Sequence, residues 1–278
     1  MEILKGIQVA NAINEKLIEE AKELARAPHL GIVRVGEKPD DLAYERGALK
    51  KMEKVGFAAT VFSFPTDITQ DDFMREFQKV NEDPEIDGIL LFKPLPKHLD
   101  EKAIECAIDP KKDLDGISPV NQAKVYAADA SGYAPCTAEA VVEMLDHAGI
   151  DPTGKRVTVV GRSLVIGKPV TMLLMKKNAT VTVCHTRTKD VEGCCRQAEI
   201  LVAAAGVAKM IGSEHVSDGA VVIDVGINVD AEGNLCGDVD FDSVCEKTSL
   251  ITPVPGGVGS VTTSVLAKHL LKAAKQNQ

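Results

Sequence analysis

The stretch that decides the fold runs from Arg156 to Pro169 and reads RVTVVGRSLVIGKP. Its first five residues form a largely apolar, β-branched run that stops at Gly161, as a buried parallel strand does. A second glycine, Gly167, precedes the segment Lys168–Lys177, which we predict to be a helix. A glycine at a strand end permits a sharp turn, and one at a helix start lets a phosphate approach the free N–H groups there. The stretch therefore predicts a phosphate-holding loop, although its glycines are not spaced as GxGxxG and an ordinary loop would also fit.

Strands and helices alternate on both sides of this stretch. The predicted strands are His29–Val35, Ala58–Phe64, Gly88–Phe92, Thr180–Cys184, Ile200–Ala204 and Val221–Val225, and the predicted helices include 39–55, 69–80 and 261–275. Such alternation is typical of parallel sheets covered by helices. We therefore predict an α/β fold with two α/β domains around a cleft, the C-terminal one a Rossmann-like parallel sheet.

The boundary between the two domains is expected where the alternation stops. Between Asp109 and Gly132 the chain is rich in Pro, Asp, Gly and Ser, and we interpret this as the region between the domains. A helix is expected to follow at Thr137–His147, with Thr137 as its N-cap. These features predict domains at residues 1–135 and 136–260.

Composition excludes several classes of protein. The 278 residues include 32 Lys and Arg against 41 Asp and Glu, a formal charge of −9, which argues against sequence-independent nucleic-acid binding. The chain has no signal-peptide pattern and no apolar run long enough to span a bilayer. Its seven cysteines have no regular spacing that would indicate disulfides or a zinc site. We expect a cytoplasmic protein without a metal.

The end of the strand Thr180–Cys184 bears on the choice of cofactor. NAD-preferring folds usually have an acidic residue there for the ribose 2′-hydroxyl, but this chain has His185, Thr186, Arg187, Thr188 and Lys189. A guanidinium and hydroxyls suit a 2′-phosphate by charge and by hydrogen bonding. We predict NADP in preference to NAD, with a solvated loop cation as the alternative for Arg187 and a structural role for His185.

Seven strings in a fixed order carry a family resemblance. They are Val35-Gly36 with Pro39 and Tyr44; GILL (88–91) with PLP (94–96); KDLDG (112–116); PCT (135–137); VGRS (160–163) with GKP (167–169); DVGIN (224–228) with GDV (237–239); and TPVPGGVG (252–259). Together they resemble the tetrahydrofolate dehydrogenase/cyclohydrolase family over nearly the whole chain. The last string is the most distinctive.

The resemblance implies a function and a set of site residues. It implies a usually homodimeric enzyme that oxidises 5,10-methylenetetrahydrofolate with NAD(P) and often hydrolyses the product, and a C-terminal helix, 261–278, that returns to the first domain. Tyr44 and Asp115 would bind the folate and serve catalysis, Asp115 through the aminopyrimidine edge of the pterin. The loop with Pro255, Gly256 and Gly257 would approach the substrate closely. The cofactor would be bound by Gly161, Arg162, Ser163, Gly167, Thr186, Arg187 and Ile227.

The chain departs from the family pattern at two catalytic positions. The lysine expected four residues after Tyr44 is Ala48, and the glutamine expected before the proline-rich string is Phe92. Lys51 or Lys93 could supply an ammonium group instead, and Lys93 is the candidate catalytic substitute. Methenyl hydrolysis needs a group that activates water and transfers protons. We therefore predict a dehydrogenase with weak or absent cyclohydrolase activity.

Three alternatives remain open at this point. The first is a fully bifunctional enzyme that produces 10-formyltetrahydrofolate. The second is an inactive folate- or nucleotide-binding regulator, which the intact cofactor strings disfavour. The third is another two-domain Rossmann oxidoreductase, such as a shikimate-type enzyme.

Overall fold

The structure is a computed structural model that describes residues 1–277. It divides into two compact units. The three-stranded unit comprises Ala12–Cys136 and residues 263–277, and the six-stranded unit comprises Met1–Asn11 and Thr137–Thr262. The chain begins with strand β1 (Glu2–Ile3) and helix α1 (Gly6–Ala21).

The three-stranded unit contains a small parallel sheet. Its elements are β2 (His29–Val35), α2 (Pro39–Val55), β3 (Ala58–Phe64), α3 (Gln70–Glu82), β4 (Gly88–Leu91), α4 (Glu101–Ala107) and α5 (Pro119–Tyr126). The strand order is β3-β2-β4, and both pairs are parallel. One face of the sheet contributes Val33, Val35 and Leu91 to a core with Phe73 and Phe77 of α3.

Local signals set the ends of the helices in this unit. Helix α2 has Pro39 in its first turn, where a missing N–H costs nothing, and ends at Gly56 in the left-handed conformation. Helix α3 is capped by Thr69, whose hydroxyl accepts the N–H of Asp72. These ends lie at or near the predicted positions.

The six-stranded unit contains a parallel sheet with strand order β1-β11-β8-β7-β5-β6. Its elements are α6 (Cys136–His147, of which Cys136 belongs to the other unit), β5 (Arg156–Val160), α7 (Gly167–Lys176), β6 (Thr180–Cys184), α8 (Val191–Arg196), β7 (Ile200–Ala203), β8 (Val221–Asp224), the antiparallel pair β9 (Asn228–Val229) and β10 (Leu235–Cys236), α9 (Phe241–Val244) and β11 (Leu250–Ile251). The last helix of the chain is α10 (Thr262–Asn277).

The strand order of this sheet indicates where a ligand would bind. The chain passes from β5 outward to β6 and then returns to β7 on the other side of β5. The loops after β5 and β7 therefore leave the sheet in opposite directions, and in open α/β sheets ligands bind at the carboxyl ends of such strands. The predicted α/β class, with a Rossmann-like parallel sheet, is confirmed.

Two local predictions are wrong. Residues 109–132 are not a connection between domains, because they belong to the three-stranded unit and contain α5. That helix forms because Ser118 caps it by accepting the N–H of Asn121 and Pro119 occupies its first turn. Thr137 is not an N-cap either, since α6 already begins at Cys136.

Candidate active site

The loop after β5 in the six-stranded unit is built around two glycines. Gly161 has a φ of 133°, and a Cβ there would overlap the carbonyl oxygen of Ala204 after β7. A Cβ on Gly167 would in turn overlap the Gly161 carbonyl oxygen. Side chains are therefore excluded from both positions, so that the backbone passes close to the ends of β5 and β7.

Ser163 shapes the start of helix α7. Its hydroxyl oxygen lies 3.1 Å from the N of Ile166 and 3.4 Å from the N of Gly167, and accepts both N–H groups. The N-cap residue, Ile166, makes no side-chain capping bond. The loop itself thus accepts two of the N–H groups at the start of the helix, and the helix dipole still favours an anion there. Arg162 and Ser163 are exposed beside it.

The turn after β6 is organised by His185. The His185 N–H donates to Thr188 Oγ1 at 2.9 Å, and its ring Nδ1 accepts the N–H of Arg187 at 3.1 Å. This gives His185 a structural role. Thr186 and Arg187 are exposed at the tip of the turn. A cation and a hydroxyl are consequently presented at the end of the strand neighbouring β5.

Two buried carboxylates hold the loops at the ends of β7 and β8. Asp238 accepts N–H groups from Ala205, Gly206 and Val207, and also the side-chain amide of Asn228 at 2.9 Å. Asp224 accepts those of Gly226, Asp238 and Val239. Burial raises the pKa of Asp224 to about 6, against the effect of these hydrogen bonds.

The sequence reasoning missed the function of this carboxylate pair. Each of the two residues stands in a quoted string, within two positions of a glycine whose Cβ would overlap the other carboxylate: Gly226 against Asp238, and Gly237 against Asp224. That double Asp–Gly arrangement is the signal that could have indicated the pair. The pair fixes the loop that carries Ile227, whose side chain is 68% exposed.

The loop Pro255–Gly257 packs closely against the beginning of the chain. The N–H of Gly6 donates to the Gly256 carbonyl oxygen at 2.8 Å, and a Cβ on Gly6 would overlap the carbonyl oxygen of Gly257. Gly256 has a φ of 99° and is exposed, as is Pro255. At Gly256 the loop therefore presents backbone rather than a side chain at its surface.

In the three-stranded unit, Asp115 lies on a loop anchored to strand β4. The N–H of Ile89 donates to the Lys112 carbonyl oxygen at 2.6 Å, and buried Asp113 accepts the N–H groups of Ile117 and Ser118. The Asp115 carboxylate accepts the N–H of Cys136 at 2.7 Å. Burial raises the pKa of Asp115, and the hydrogen bonds from Cys136 oppose that shift. Asp113 is a supporting residue that the sequence reasoning left without a role.

Tyr44 and Phe92 form an aromatic pair in the same unit. Their ring centroids are 5.7 Å apart with an interplanar angle of 58°. Tyr44 is 37% exposed, whereas Phe92 is buried. Ala48, one turn after Tyr44 on α2, is fully buried. An aromatic surface thus replaces the polar pair that the family pattern would provide here.

The two candidate substitute lysines are both engaged by other residues. The Lys51 ammonium donates to Ser264 Oγ at 2.7 Å and to Asn14 Oδ1 at 3.3 Å, and burial lowers its pKa to about 8. The Lys93 ammonium pairs with Glu105 and, at 3.2 Å, with Glu101 of α4. Partial burial lowers the pKa of Lys93, but the two carboxylates outweigh it and the pKa is raised. The Lys93 ammonium is thus paired with two carboxylates, and its catalytic role stays a prediction.

No metal centre is formed by the described part of the chain. Within residues 1–277 no group of three or more His, Cys, Asp or Glu could hold a metal ion, and all seven cysteines are free thiols. None of the helices in the same range combines the length and the apolar character needed to cross a membrane.

Two family models match the chain. One, described as tetrahydrofolate dehydrogenase/cyclohydrolase, catalytic domain, matches residues 4–115, and the other, described as the NAD(P)-binding domain of the same family, matches residues 135–278. Together the two matches cover most of both units.

Relatives and solved structures show the same similarity. A protein of Clostridioides difficile named bifunctional protein FolD is 54% identical over 277 residues, 99% of this chain and 96% of its own. The crystal structure of the bifunctional FolD methylenetetrahydrofolate dehydrogenase/cyclohydrolase from Campylobacter jejuni has a TM-score of 0.97 at 36% identity and 100% coverage of both chains. FolD from Trypanosoma brucei, complexed with NADP and an inhibitor, has a TM-score of 0.92 at 37% identity, covering 99% of this chain and 97% of its own.

Proposed function

This chain belongs to the tetrahydrofolate dehydrogenase/cyclohydrolase family, and from that premise we propose that it oxidises 5,10-methylenetetrahydrofolate to the 5,10-methenyl form with NADP. The proposal rests on the anchored carboxylate of Asp115 in one unit together with the loop of Gly161 and Gly167 in the other. We call the latter the nucleotide loop. Family membership excludes the shikimate-type alternative.

Asp115 and Tyr44 are the proposed folate-binding residues. The Asp115 carboxylate matches the paired N–H donors of the pterin's aminopyrimidine edge, and one of its oxygens is already held by the Cys136 N–H. The partly exposed Tyr44 ring, supported by Phe92, offers a flat surface for stacking. These side chains bind and orient the folate, while backbone of Pro255–Gly257 would approach the substrate without obstruction.

The six-stranded unit fits a dinucleotide. Gly161 and Gly167 leave room for a pyrophosphate, and the start of α7 favours its charge. The nicotinamide supplies the acceptor for the hydride that leaves the methylene carbon. That carbon is already activated by two nitrogens, so the protein mainly contributes alignment and does not need an acid or base for this step.

We propose NADP as the preferred cofactor, with NAD as a possible substitute. The exposed Thr186 and Arg187 follow β6, and no carboxylate precedes Asp190 in that turn. A guanidinium can form two hydrogen bonds to a 2′-phosphate, and the NADP complex of the Trypanosoma brucei relative supports the same choice.

We further propose that the cyclohydrolase step is weak or absent. Hydrolysis of the methenyl group requires water activation and proton transfer. Ala48 and Phe92 can do neither, and the ammonium groups of Lys51 and Lys93 are engaged by other side chains. The competing candidate is the fully bifunctional enzyme, which the names of the Clostridioides difficile and Campylobacter jejuni relatives favour.

One assay tests both parts of the proposal. Purified protein is mixed with 5,10-methylenetetrahydrofolate and NADP, and NADPH and the methenyl product are followed together by absorbance. We expect both to accumulate, and Asp115→Asn to slow the reaction through a raised KM for folate. Failure to reduce either NADP or NAD would refute the dehydrogenase proposal.

A second assay isolates the hydrolysis. Added methenyltetrahydrofolate should decay no faster with the enzyme than without it. Accelerated decay that persists in Lys51→Ala and Lys93→Ala variants would refute the proposed loss and establish the bifunctional alternative.

We also propose a cytoplasmic homodimer. Seven free thiols are typical of a reducing compartment. In the six-stranded unit, Val229 and Leu235 of the β9–β10 pair are 66% and 46% exposed, which supports contact with a second copy. Light scattering after gel filtration tests this, and a monomeric mass at assay concentration would contradict it.

A further inference from the structure

Helix α10 inserts a histidine into the interior of the three-stranded unit. His269 is 3% exposed, and its ring lies edge-on to buried Tyr133 at a centroid distance of 5.3 Å. Its Nδ1 is 2.7 Å from the carbonyl oxygen of Leu114, the residue immediately before Asp115. Because a carbonyl oxygen can only accept, Nδ1 carries the proton in this bond.

Cys136 contacts the same carbonyl oxygen as His269. Its Sγ lies 3.6 Å from the Leu114 carbonyl oxygen and 3.8 Å from His269 Nδ1. Its backbone N–H is the donor to the Asp115 carboxylate. The carbonyl oxygen of residue 114 and the carboxylate of residue 115 are therefore held by adjacent groups.

The peptide between Leu114 and Asp115 follows a peptide whose N–H makes only a long hydrogen bond. The Leu114 N–H reaches the Ile89 carbonyl oxygen only at 3.4 Å, and Gly116 follows with a φ of 60°. A Cβ on Gly116 would overlap the Tyr133 carbonyl oxygen, so the turn is close-packed around the peptide between Leu114 and Asp115. Rotation of that peptide would swing the Asp115 side chain away from its present direction.

We propose that His269 is a positioning residue for the folate carboxylate: its Nδ1–H holds the Leu114 carbonyl and thereby sets the direction of Asp115. The inference rests on the proposed role of Asp115 in folate binding. His269 does not touch the substrate. It acts through one buried hydrogen bond, made from a helix that lies 155 residues later in the sequence.

Asparagine and glutamine separate this role from simple packing. An asparagine amide nitrogen is as many bonds from Cα as the histidine Nδ1, whereas a glutamine amide nitrogen reaches the position of Nε2. We expect His269→Asn to keep the KM for methylenetetrahydrofolate within about threefold of wild type, and His269→Gln and His269→Leu to raise it about tenfold or more. The KM for NADP should not change in any variant.

A matched control accounts for stability. Leu271 is buried on the same helix, and Leu271→Ala removes packing without removing a polar group. This variant should lower the melting temperature while leaving the KM for folate unchanged. If His269→Gln behaves like Leu271→Ala, or if His269→Asn is no better than His269→Gln, the inference is overturned.

The same proteins distinguish this inference from the proposed function. Should wild type reduce neither NADP nor NAD, the proposed reaction fails, and calorimetric binding of tetrahydrofolate to the variants still tests His269. The expected order of affinity is then wild type and His269→Asn above His269→Gln and His269→Leu. A wild-type protein that binds no tetrahydrofolate would overturn both.

Discussion

Two apolar side chains, Ala48 and Phe92, are the reason for the proposed loss of hydrolysis. Ala48 lies one turn after Tyr44, and Phe92 packs its ring against that of Tyr44. Neither side chain can give or take a proton, whereas the oxidation by hydride transfer needs no such group from the protein. We therefore expect the two residues to weaken the hydrolysis step and to leave the oxidation step intact.

Restoring the polar pair should restore hydrolysis. In the double variant Ala48→Lys/Phe92→Gln we expect methenyltetrahydrofolate decay to accelerate about 100-fold over wild type, the lower range for a positioned acid–base group. Decay kinetics measure this directly. Ala48→Met/Phe92→Gln is the control, because methionine has similar length and no charge, and equal rates in both variants would contradict the prediction.

Lys51 should produce a measurable dependence of stability on pH. Burial lowers its pKa to about 8 in the folded protein, against about 10.4 in the unfolded chain. Between these values the unfolded state binds more protons, so the free energy of unfolding increases as pH rises, and this contribution is lost as pH falls through 8.

Urea unfolding at several pH values between 7 and 10 tests this expectation. The increase should disappear in Lys51→Met and persist in Lys50→Met, whose side chain is exposed on the same helix. A Lys51→Met curve parallel to that of wild type would show that the ammonium is not responsible.

At the scale of the elements, the sequence predicts those helix ends that neighbouring residues determine. Gly56 ends α2 and Thr69 caps α3, and both effects depend only on residues close by in the sequence. The helix α5 was missed because its cap, Ser118, lies in a segment whose Pro, Asp and Gly content indicates a loop.

Within the proposed site, motifs in the sequence indicated the nucleotide loop and Asp115, but not the residues that hold them in place. Asp238 acts on backbone N–H groups 31 to 33 residues earlier in the sequence, and His269 on a carbonyl 155 residues earlier. Such long-range contacts leave no periodic pattern in the sequence. They follow only from the topology of the fold.

Removing Asp238 should loosen the loops after β7 and β8. Asp238→Ala leaves the N–H groups of Ala205, Gly206 and Val207 without their acceptor, so we expect a KM for NADP raised about tenfold and a loss of about 2–3 kcal/mol in stability. Steady-state kinetics and urea unfolding measure the two effects. Asp242→Asn, an exposed neighbour in α9, should change neither; an unchanged KM for NADP in Asp238→Ala would contradict the prediction.

The pair Arg34–Glu45 joins strand β2 to helix α2. Their side chains are 8% and 13% exposed, and Arg34 Nε lies 2.8 Å from Glu45 Oε2. Breaking a buried pair leaves an unpaired charge, so Arg34→Leu should cost about 3–5 kcal/mol, while Arg34→Leu/Glu45→Leu should return to within about 1 kcal/mol of wild type.

Urea unfolding of wild type, Arg34→Leu, Glu45→Leu and the double variant provides the measurement. The exposed pair Arg75–Asp72 is the reference, since Arg75→Leu should leave the free energy of unfolding nearly unchanged. A double variant as unstable as Arg34→Leu would mean that lost packing, rather than the uncompensated charge, dominates.

For the molecule as a whole, two separate units imply that each ligand stabilises the part to which it binds. NADP at 100 times its Kd should raise the free energy of unfolding of the six-stranded unit by about 2.7 kcal/mol. NAD at the same concentration should give less, and Arg187→Gln should remove the difference. Thermal unfolding measures all three, and an equal shift by NAD in wild type would contradict the proposed preference.

The chain passes through the two units in an order that matters during translation. Residues 1–11 of the six-stranded unit leave the ribosome first, and residues 12–136 of the three-stranded unit come next. The bulk of the six-stranded unit follows, and residues 263–277, which belong with residues 12–136, emerge last. Nascent chains generally fold in the order of synthesis. The nucleotide loop can therefore form before His269, which bonds the Leu114 carbonyl oxygen, has been synthesised. We therefore expect an arrested nascent chain that ends near residue 262 to bind dinucleotide but not folate.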